Sequence, residues 1–219
     1  MTPRHTPTHR PDDELLAAFA AGQLPLCQRV VLEAHLALCD VSRSRVAELQ
    51  NPGGDWLRSL PDEPAPDHLW RALEQRLTPP TTATAEAEAE AEAEAEDPFA
   101  GVPLPAAARL ELPPRSQPLE WSSLPGSYSR TAPLATDPAD DLQLLLVMTP
   151  PEKRFPWHRH LGGEDLLILA GGLNDATGHY LPGDFVHYPA GTEHAPWMDP
   201  GEPCWAIACI AGGVDFQGP

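Results

Sequence analysis

The sequence predicts an α + β protein of two domains, a small N-terminal helical bundle followed by a C-terminal β-barrel. Residues 1–77 carry apolar side chains at helical spacing between capping residues. Residues 99–219 carry short apolar runs that Pro and Gly interrupt about every eight to twelve residues, a spacing typical of an antiparallel sandwich or barrel. Residues 78–98 contain seven acidic residues and no basic one, so we expect an acidic Ala-Glu linker there.

Two helices are predicted at the start of the first domain. Asp12, Asp13 and Glu14 favour a helix start, because carboxylates cap free backbone amides, and Gly22 favours its end. Pro25 can open the second helix, since proline is tolerated in a first helical turn. The apolar residues of this second helix that are available for burial are Leu26, Val30, Leu32, Leu36 and Leu38.

Two further helices are predicted before the linker. Ser42 is a candidate N-cap for RSRVAELQ, and the stretch NPGGD is expected to break the chain after it. The last helix is expected to start near Asp67 and to place Leu69, Trp70, Leu73 and Leu77 on an apolar face. We expect Trp70 to be a buried anchor, with a role in partner binding as the alternative.

Composition narrows the class of protein. The net charge of −18 and the pI of about 4.7 argue against direct nucleic-acid binding, which requires a basic face. Neither a membrane-spanning run nor the apolar core of a signal peptide is present, so we expect a cytoplasmic protein. The four cysteines do not form a disulfide pattern. Cys204 and Cys209 should face opposite sides of one strand and pack in the core.

The stretch WHRHLGGE, residues 157–164, predicts a metal site. His158 and His160 are two residues apart, so on a strand both point to the same face, and Glu164 follows a short turn. His194 lies on a later segment and can converge with them inside a barrel. Imidazole and carboxylate together suit zinc, iron, manganese or nickel, so the ligand types do not select the metal.

These residues carry a family resemblance. HRHLGGEDLLILAG resembles the first cupin motif and GDFVHYPAGTEH the second, over roughly residues 115–212. Glu152 and Met198 stand where cupins often have glycine and asparagine. The resemblance implies a β-barrel of the double-stranded β-helix type with one metal inside, zinc as the first choice and iron or manganese as alternatives. Its implied ligands are His158, His160, Glu164 and His194.

The N-terminal domain carries a second resemblance. His35 and Cys39, four residues apart on one helix face, with an upstream histidine, resemble the zinc-binding anti-sigma domain, whose signature is H-x3-C-x2-C. The implied ligands are His9, His35 and Cys39. Ser42 replaces the last cysteine, and a serine hydroxyl is a poor zinc ligand. Two alternatives stay open: a zinc site with His5, water or Asp40 as fourth ligand, or a metal-free helical domain.

The two halves in this order resemble the ChrR family of anti-sigma factors. That resemblance implies a protein that binds and inhibits an extracytoplasmic-function sigma factor through its helical domain. The cupin domain would sense oxidative or small-molecule stress, and no catalytic residue is implied. One alternative is a metal-dependent cupin enzyme of the dioxygenase type, because a four-ligand site can leave coordination positions open. Another is a cupin with a degenerate helical domain that has lost its sigma factor.

Overall fold

A computed structural model describes residues 6–77 and 97–217. Most of the predicted linker, and His5, therefore lie outside the described residues. Within the described residues, four helices come first and a short fifth helix follows residue 97, before the strands. The helices are α1 (Asp13–Ala20), α2 (Leu26–Leu38), α3 (Asp40–Ser59), α4 (Asp67–Leu77) and α5 (Ala106–Glu111).

Helix α1 starts and ends, and helix α2 starts, where the capping residues predict. The Asp12 side chain accepts a hydrogen bond from the Leu15 amide at 2.8 Å, and Gly22 has a φ of +68°, which favours glycine. Helix α2 begins directly after Pro25 and is buried on more than one face. Its buried residues are Cys27, Val30, Val31, Leu32, Ala34, His35 and Leu36.

Helix α3 corrects the prediction of a break at NPGGD. It starts at Asp40, so Ser42 is a buried residue inside the helix and not its N-cap, and it continues through Pro52 to Ser59. Proline removes the amide that would bond to the Glu48 carbonyl. Because Glu48 is exposed, water can take the place of that amide, and the helix continues.

Helix α4 begins at Asp67 as predicted, but Trp70 is not a buried anchor. No residue of α4 is buried, and the Trp70 side chain is 58% exposed. The periodicity correctly indicates an amphipathic helix. It cannot indicate whether another part of the same chain covers the apolar face, and in the described residues none does.

The described part of the second half is an antiparallel β-structure of twelve strands in three sheets. The large sheet has the order β1-β2-β3-β11-β5-β8, and the two small sheets have the orders β10-β6-β7 and β12-β4-β9. The strands are β1 (Ser122–Ser123), β2 (Arg130–Asp137), β3 (Leu142–Thr149), β4 (His158–His160), β5 (Glu164–Ala170), β6 (Leu173–Asn174), β7 (His179–Tyr180), β8 (Phe185–Tyr188), β9 (Glu193–His194), β10 (Trp197–Met198), β11 (Cys204–Ala211) and β12 (Val214–Asp215).

Two apolar clusters lie on the two faces of the large sheet. Ile168 and Cys204 belong to the cluster inside the barrel, whereas Leu167 and Cys209 belong to the other. Cys204 and Cys209 thus pack on opposite sides of β11, as predicted. The outer cluster also contains Val31 and other residues of α2. The helices and the barrel therefore share a core, and the domain limits at residues 77 and 99 stay a prediction.

The described helices include none that combines the length and the apolar character needed to cross a membrane.

Candidate metal centre

The four residues predicted as barrel ligands lie together in the structure. His158 and His160 are on β4, Glu164 starts β5, and His194 is on β9 directly opposite His158 in the antiparallel pairing. One ligand atom from each lies within 4.8 Å of the others, and they form the one such group among the described residues. Alternation along β4 turns both histidines inward while Arg159 between them is exposed.

Each of the three histidines has its Nδ1 atom next to an oxygen of the protein. Two of these oxygens, a carbonyl and a carboxylate, only accept hydrogen bonds. The third is the Thr192 hydroxyl, which accepts here because it already donates its proton to the Pro189 carbonyl. All three Nδ1 atoms therefore carry the proton, which leaves Nε2 unprotonated in the neutral ring. The oxygens are the Pro156 carbonyl for His158 (3.0 Å), the Thr192 hydroxyl for His160 (2.9 Å) and the Asp175 carboxylate for His194 (3.0 Å).

This arrangement fits a cation. The Nε2 atoms of His158 and His194 are 3.0 Å apart, and with both Nδ1 atoms protonated their lone pairs face each other. Such a contact is repulsive unless a proton or a metal ion lies between them. The Nε2 atom of His160 is buried and 2.6 Å from Glu164 Oε2, yet it makes no aligned hydrogen bond. Three imidazole nitrogens and a carboxylate thus converge in a group that could hold a divalent metal ion.

Burial favours the neutral rings of His158 and His194, the form that metal ligation requires. It lowers the pKa of His158 to about 4, because the charged ring would lose its hydration. It also lowers the pKa of His194, against the opposing effect of the Asp175 carboxylate. Neutral rings at neutral pH leave the Nε2 lone pairs available.

Asp175 is the centre of the hydrogen bonds that support His194. Burial alone would raise the pKa of Asp175, but hydrogen bonds from Thr177, Tyr188 and His194 outweigh burial and lower it to about 2. The Tyr188 hydroxyl donates to the carboxylate at 2.6 Å, and the Tyr188 ring also packs against His194. An ionised carboxylate on Nδ1 fixes the ring orientation and increases the basicity of Nε2.

An apolar cavity adjoins the four residues inside the barrel. Phe155, Leu166 and Met198 line it, and His158, Glu164 and His194 form its polar end. Met198 replaces the asparagine of the cupin motif and makes this wall apolar. Glu152, which replaces a motif glycine, has a φ of +60°, so this position keeps the left-handed backbone that glycine favours.

The N-terminal residues with metal-ligand side chains are placed differently. His9 sits on the barrel with its ring against Tyr180, and its side chain is 42% exposed. His35 and Cys39 are fully buried, and the His35 ring bonds to Ser42. In residues 6–77 and 97–217, no group of three metal-ligand side chains includes His9, His35 or Cys39. The two alternatives for this site, a zinc ion or a metal-free helical domain, therefore both stay open.

Sequence reasoning missed the residues that orient the ligands. Asp175 and Thr192 are distant from their histidine partners along the chain, and no spacing rule connects them. A weak signal was available for Asp175: the stretch NDATG is typical of a turn in which the Asp side chain caps backbone amides, and its Oδ1 accepts from Thr177 and Gly178. That signal predicts a turn and says nothing about His194.

Comparison with known proteins agrees with this architecture. Residues 114–209 match the family model described as "ChrR Cupin-like domain". The anti-sigma-E factor ChrR of Cereibacter sphaeroides is 32% identical, over 95% of this chain and 92% of the relative. The chain belongs to the ChrR family of anti-sigma factors. The ChrR resemblance seen in the two motif regions thus extends over nearly the whole chain.

A solved ChrR structure shows the same fold. The crystal structure of Rhodobacter sphaeroides SigE in complex with the anti-sigma ChrR matches with a TM-score of 0.66 and 27% identity. The match covers 94% of this chain and 99% of the solved one. The order of a helical region followed by a cupin barrel is therefore that of the ChrR family.

Proposed function

We propose that this chain binds an extracytoplasmic-function sigma factor through its helical region and keeps that factor from core RNA polymerase. The observation that carries the proposal is the apolar face of α4, which no described residue covers. Its four large apolar side chains follow helical spacing and are 44–70% exposed. A contiguous apolar surface of this kind marks a protein-binding site. Its members are Leu69, Trp70, Leu73 and Leu77.

The end of α3 also exposes large apolar side chains. Trp56 and Leu57 are 63% and 61% exposed, and Leu60 follows directly after the helix at 44%. Aromatic side chains are enriched at the centres of protein interfaces because they bury a large area at a small entropy cost. Two helical segments with exposed Trp and Leu side chains therefore offer apolar surface to a protein partner.

Membership of the ChrR family supports a sigma factor as the occupant of this surface. The solved ChrR relative is in complex with SigE, and the curated relative is named an anti-sigma factor. Both are regulators, which supports this function over that of a cupin enzyme. A sigma factor and its polymerase act in the cytoplasm, so we place the protein there.

The barrel would bind one divalent metal through His158, His160, Glu164 and His194, with zinc as the first choice and iron or manganese as alternatives. The bound metal would supply a positive charge that holds the four donors together. Elemental mass spectrometry of the purified full chain should give one equivalent, and the variant His160→Ala with His194→Ala should lose it. Equal metal content in both proteins would contradict this assignment.

Strand β5 offers a route from the metal centre to the helices. Glu164 faces the centre, and the next residue, Asp165, faces the opposite side of the sheet. Asp165 accepts a hydrogen bond from the Gln28 side chain of α2 at 3.0 Å and pairs with His187 at 2.7 Å. A change that moves Glu164, such as metal loss or a ligand in the adjoining cavity, would therefore act on α2.

Isothermal titration calorimetry of the full chain against each extracytoplasmic-function sigma factor of its own genome tests the main proposal. We expect one of them to bind in a 1:1 ratio, and core polymerase should compete for it. Absence of binding to every such factor would overturn the proposal.

A further inference from the structure

His35 lies where α2, α3 and the barrel meet. It is fully buried in the last turn of α2. Its Nδ1 is 2.9 Å from the carbonyl oxygen of Gly183, in the turn before β8, and its Nε2 is 2.8 Å from the Ser42 hydroxyl on α3. One ring therefore connects both helices to the barrel, and protein groups occupy both of its nitrogens.

The protons on these hydrogen bonds can be assigned. A carbonyl only accepts, so Nδ1 carries the proton and donates to Gly183. Burial lowers the pKa of His35 to about 4, so the ring is neutral near pH 7 and its Nε2 is an acceptor. The Ser42 hydroxyl must then donate to Nε2. The lone pair that would bind a metal is already used by Ser42.

The Gly183–Asp184 turn holds the N-terminal segment as well. Asp184 is 1% exposed, and its Oδ1 accepts from the amides of Thr8 and His9 at 2.7 and 2.9 Å. A Cβ atom at Gly183 would lie 2.6 Å from the Pro7 ring. His9 is thus held on the barrel by its backbone, and α2 docks on the same turn through His35.

We propose that Ser42, His35 and Gly183 form a hydrogen-bonded bridge that fixes the helical region to the barrel, and that His9, His35 and Cys39 bind no zinc. The chemistry of the donors supports this, because a serine replaces the thiolate that a structural zinc site needs. Docking on the barrel takes over the stabilising role of a metal, which small helical domains often require. This inference concerns the fold of the chain and stands whether or not a sigma factor binds.

Metal content of the full chain is the first test. Elemental mass spectrometry should give the same metal-to-protein ratio for the wild type, His35→Gln and Cys39→Ser. The barrel variant His160→Ala with His194→Ala is the positive control, because it should lose one equivalent of metal. Loss of one zinc equivalent in Cys39→Ser would overturn the proposal.

Amide hydrogen exchange of the full chain is the second test. Removal of one buried hydrogen bond shifts a local opening equilibrium about fivefold. Ser42→Ala should therefore speed exchange in α2, in α3 and at the Gly183–Asp184 turn by about that factor. Ser129→Ala is the matched control, because Ser129 is also fully buried and bonds Thr149 at 2.9 Å within the barrel. Equal exchange of α2 in wild type and Ser42→Ala would overturn the bridge.

Discussion

At the scale of single residues, the chemistry of the candidate metal centre depends on which ring nitrogen carries the proton. Oxygen acceptors at Nδ1 of His158, His160 and His194 leave three Nε2 lone pairs pointing at one place. These acceptors are a backbone carbonyl, a hydroxyl and a carboxylate, and the carboxylate interacts most strongly with its histidine. The three ligands are therefore expected to respond differently to the loss of their supporting group.

Asp175→Asn tests this support. The Asn side chain would place a neutral amide next to Nδ1 of His194, where Asp175 places a negative charge. We therefore expect metal affinity to fall about 10- to 100-fold while the four candidate ligands stay in place. Competition with a chelator of known affinity measures the change. Asp199→Asn is the matched control, because Asp199 pairs with His179 at 2.7 Å outside the centre. An equal loss of affinity in both variants would argue for a general loosening of the barrel.

His35 should make the protein sensitive to acid. Its pKa is about 4 in the folded protein and 6.5 in the unfolded chain, so the unfolded chain binds more protons between these values. The part of the unfolding free energy that depends on the neutral His35 ring is then fully present above pH 6.5. It decreases towards pH 4, by up to about 1.4 kcal/mol per pH unit. Urea unfolding at several pH values should show that the unfolding free energy depends on pH with a shallower slope in His35→Gln than in the wild type. Identical slopes would contradict the buried neutral ring.

The four candidate ligands of the barrel could be predicted from the sequence to lie together, but the residues that support them could not. His158 and His160 follow the two-residue period of a strand, and Glu164 and His194 follow motif spacing. The Asp175–His194 contact forms only after β9 and the turn after β6 come together. No local period of the chain contains that information.

At the scale of elements, docking of α2 on the barrel depends on a turn with no space for a side chain. Gly183 has a φ of +92° and its Cβ position is blocked by Pro7. Gly191 has a similar φ of +81°, but its Cβ position is open. Alanine variants of these two glycines therefore distinguish the cost of backbone strain, which both share, from the cost of a blocked Cβ position, which only Gly183 has.

Gly191→Ala should cost about 1 kcal/mol of unfolding free energy from left-handed strain alone. Gly183→Ala should cost about 3 kcal/mol, because it adds overpacking against Pro7 and Leu38. Chemical denaturation of the two variants measures both costs. Equal costs would mean that the N-terminal segment is not packed on this turn.

Helix α4 should contribute to binding and not to folding. Trp70→Ala with Leu73→Ala removes apolar surface that no described residue covers, so the unfolding free energy should stay unchanged. The Kd for the sigma factor should rise about 30-fold or more, as for the loss of an interface anchor. Gln75→Ala, on the same helix, should leave the Kd unchanged. A stability loss in the double variant would show that α4 packs within the chain.

At the scale of the whole molecule, the sequence predicts the order of the two halves but not how closely they pack. Helix periodicity and strand alternation are local signals, whereas the contact between Gln28 and Asp165 joins residues far apart in the chain. The sequence offered one hint, because Val30, Val31 and Leu32 stand in a row and are more than the single apolar stripe of a surface helix. In the structure, α2 is buried on several faces. A shared core lets the barrel influence the helices directly.

Single-round transcription from a promoter of the bound sigma factor tests the central claim most directly. Sigma factor is mixed with the full chain before core polymerase is added, and transcript is measured against chain concentration. We expect transcription to stop near one chain per sigma factor, and the Trp70→Ala, Leu73→Ala double variant to need a large excess. Undiminished transcription with a several-fold excess of wild-type chain would contradict the assignment of this protein as an anti-sigma factor.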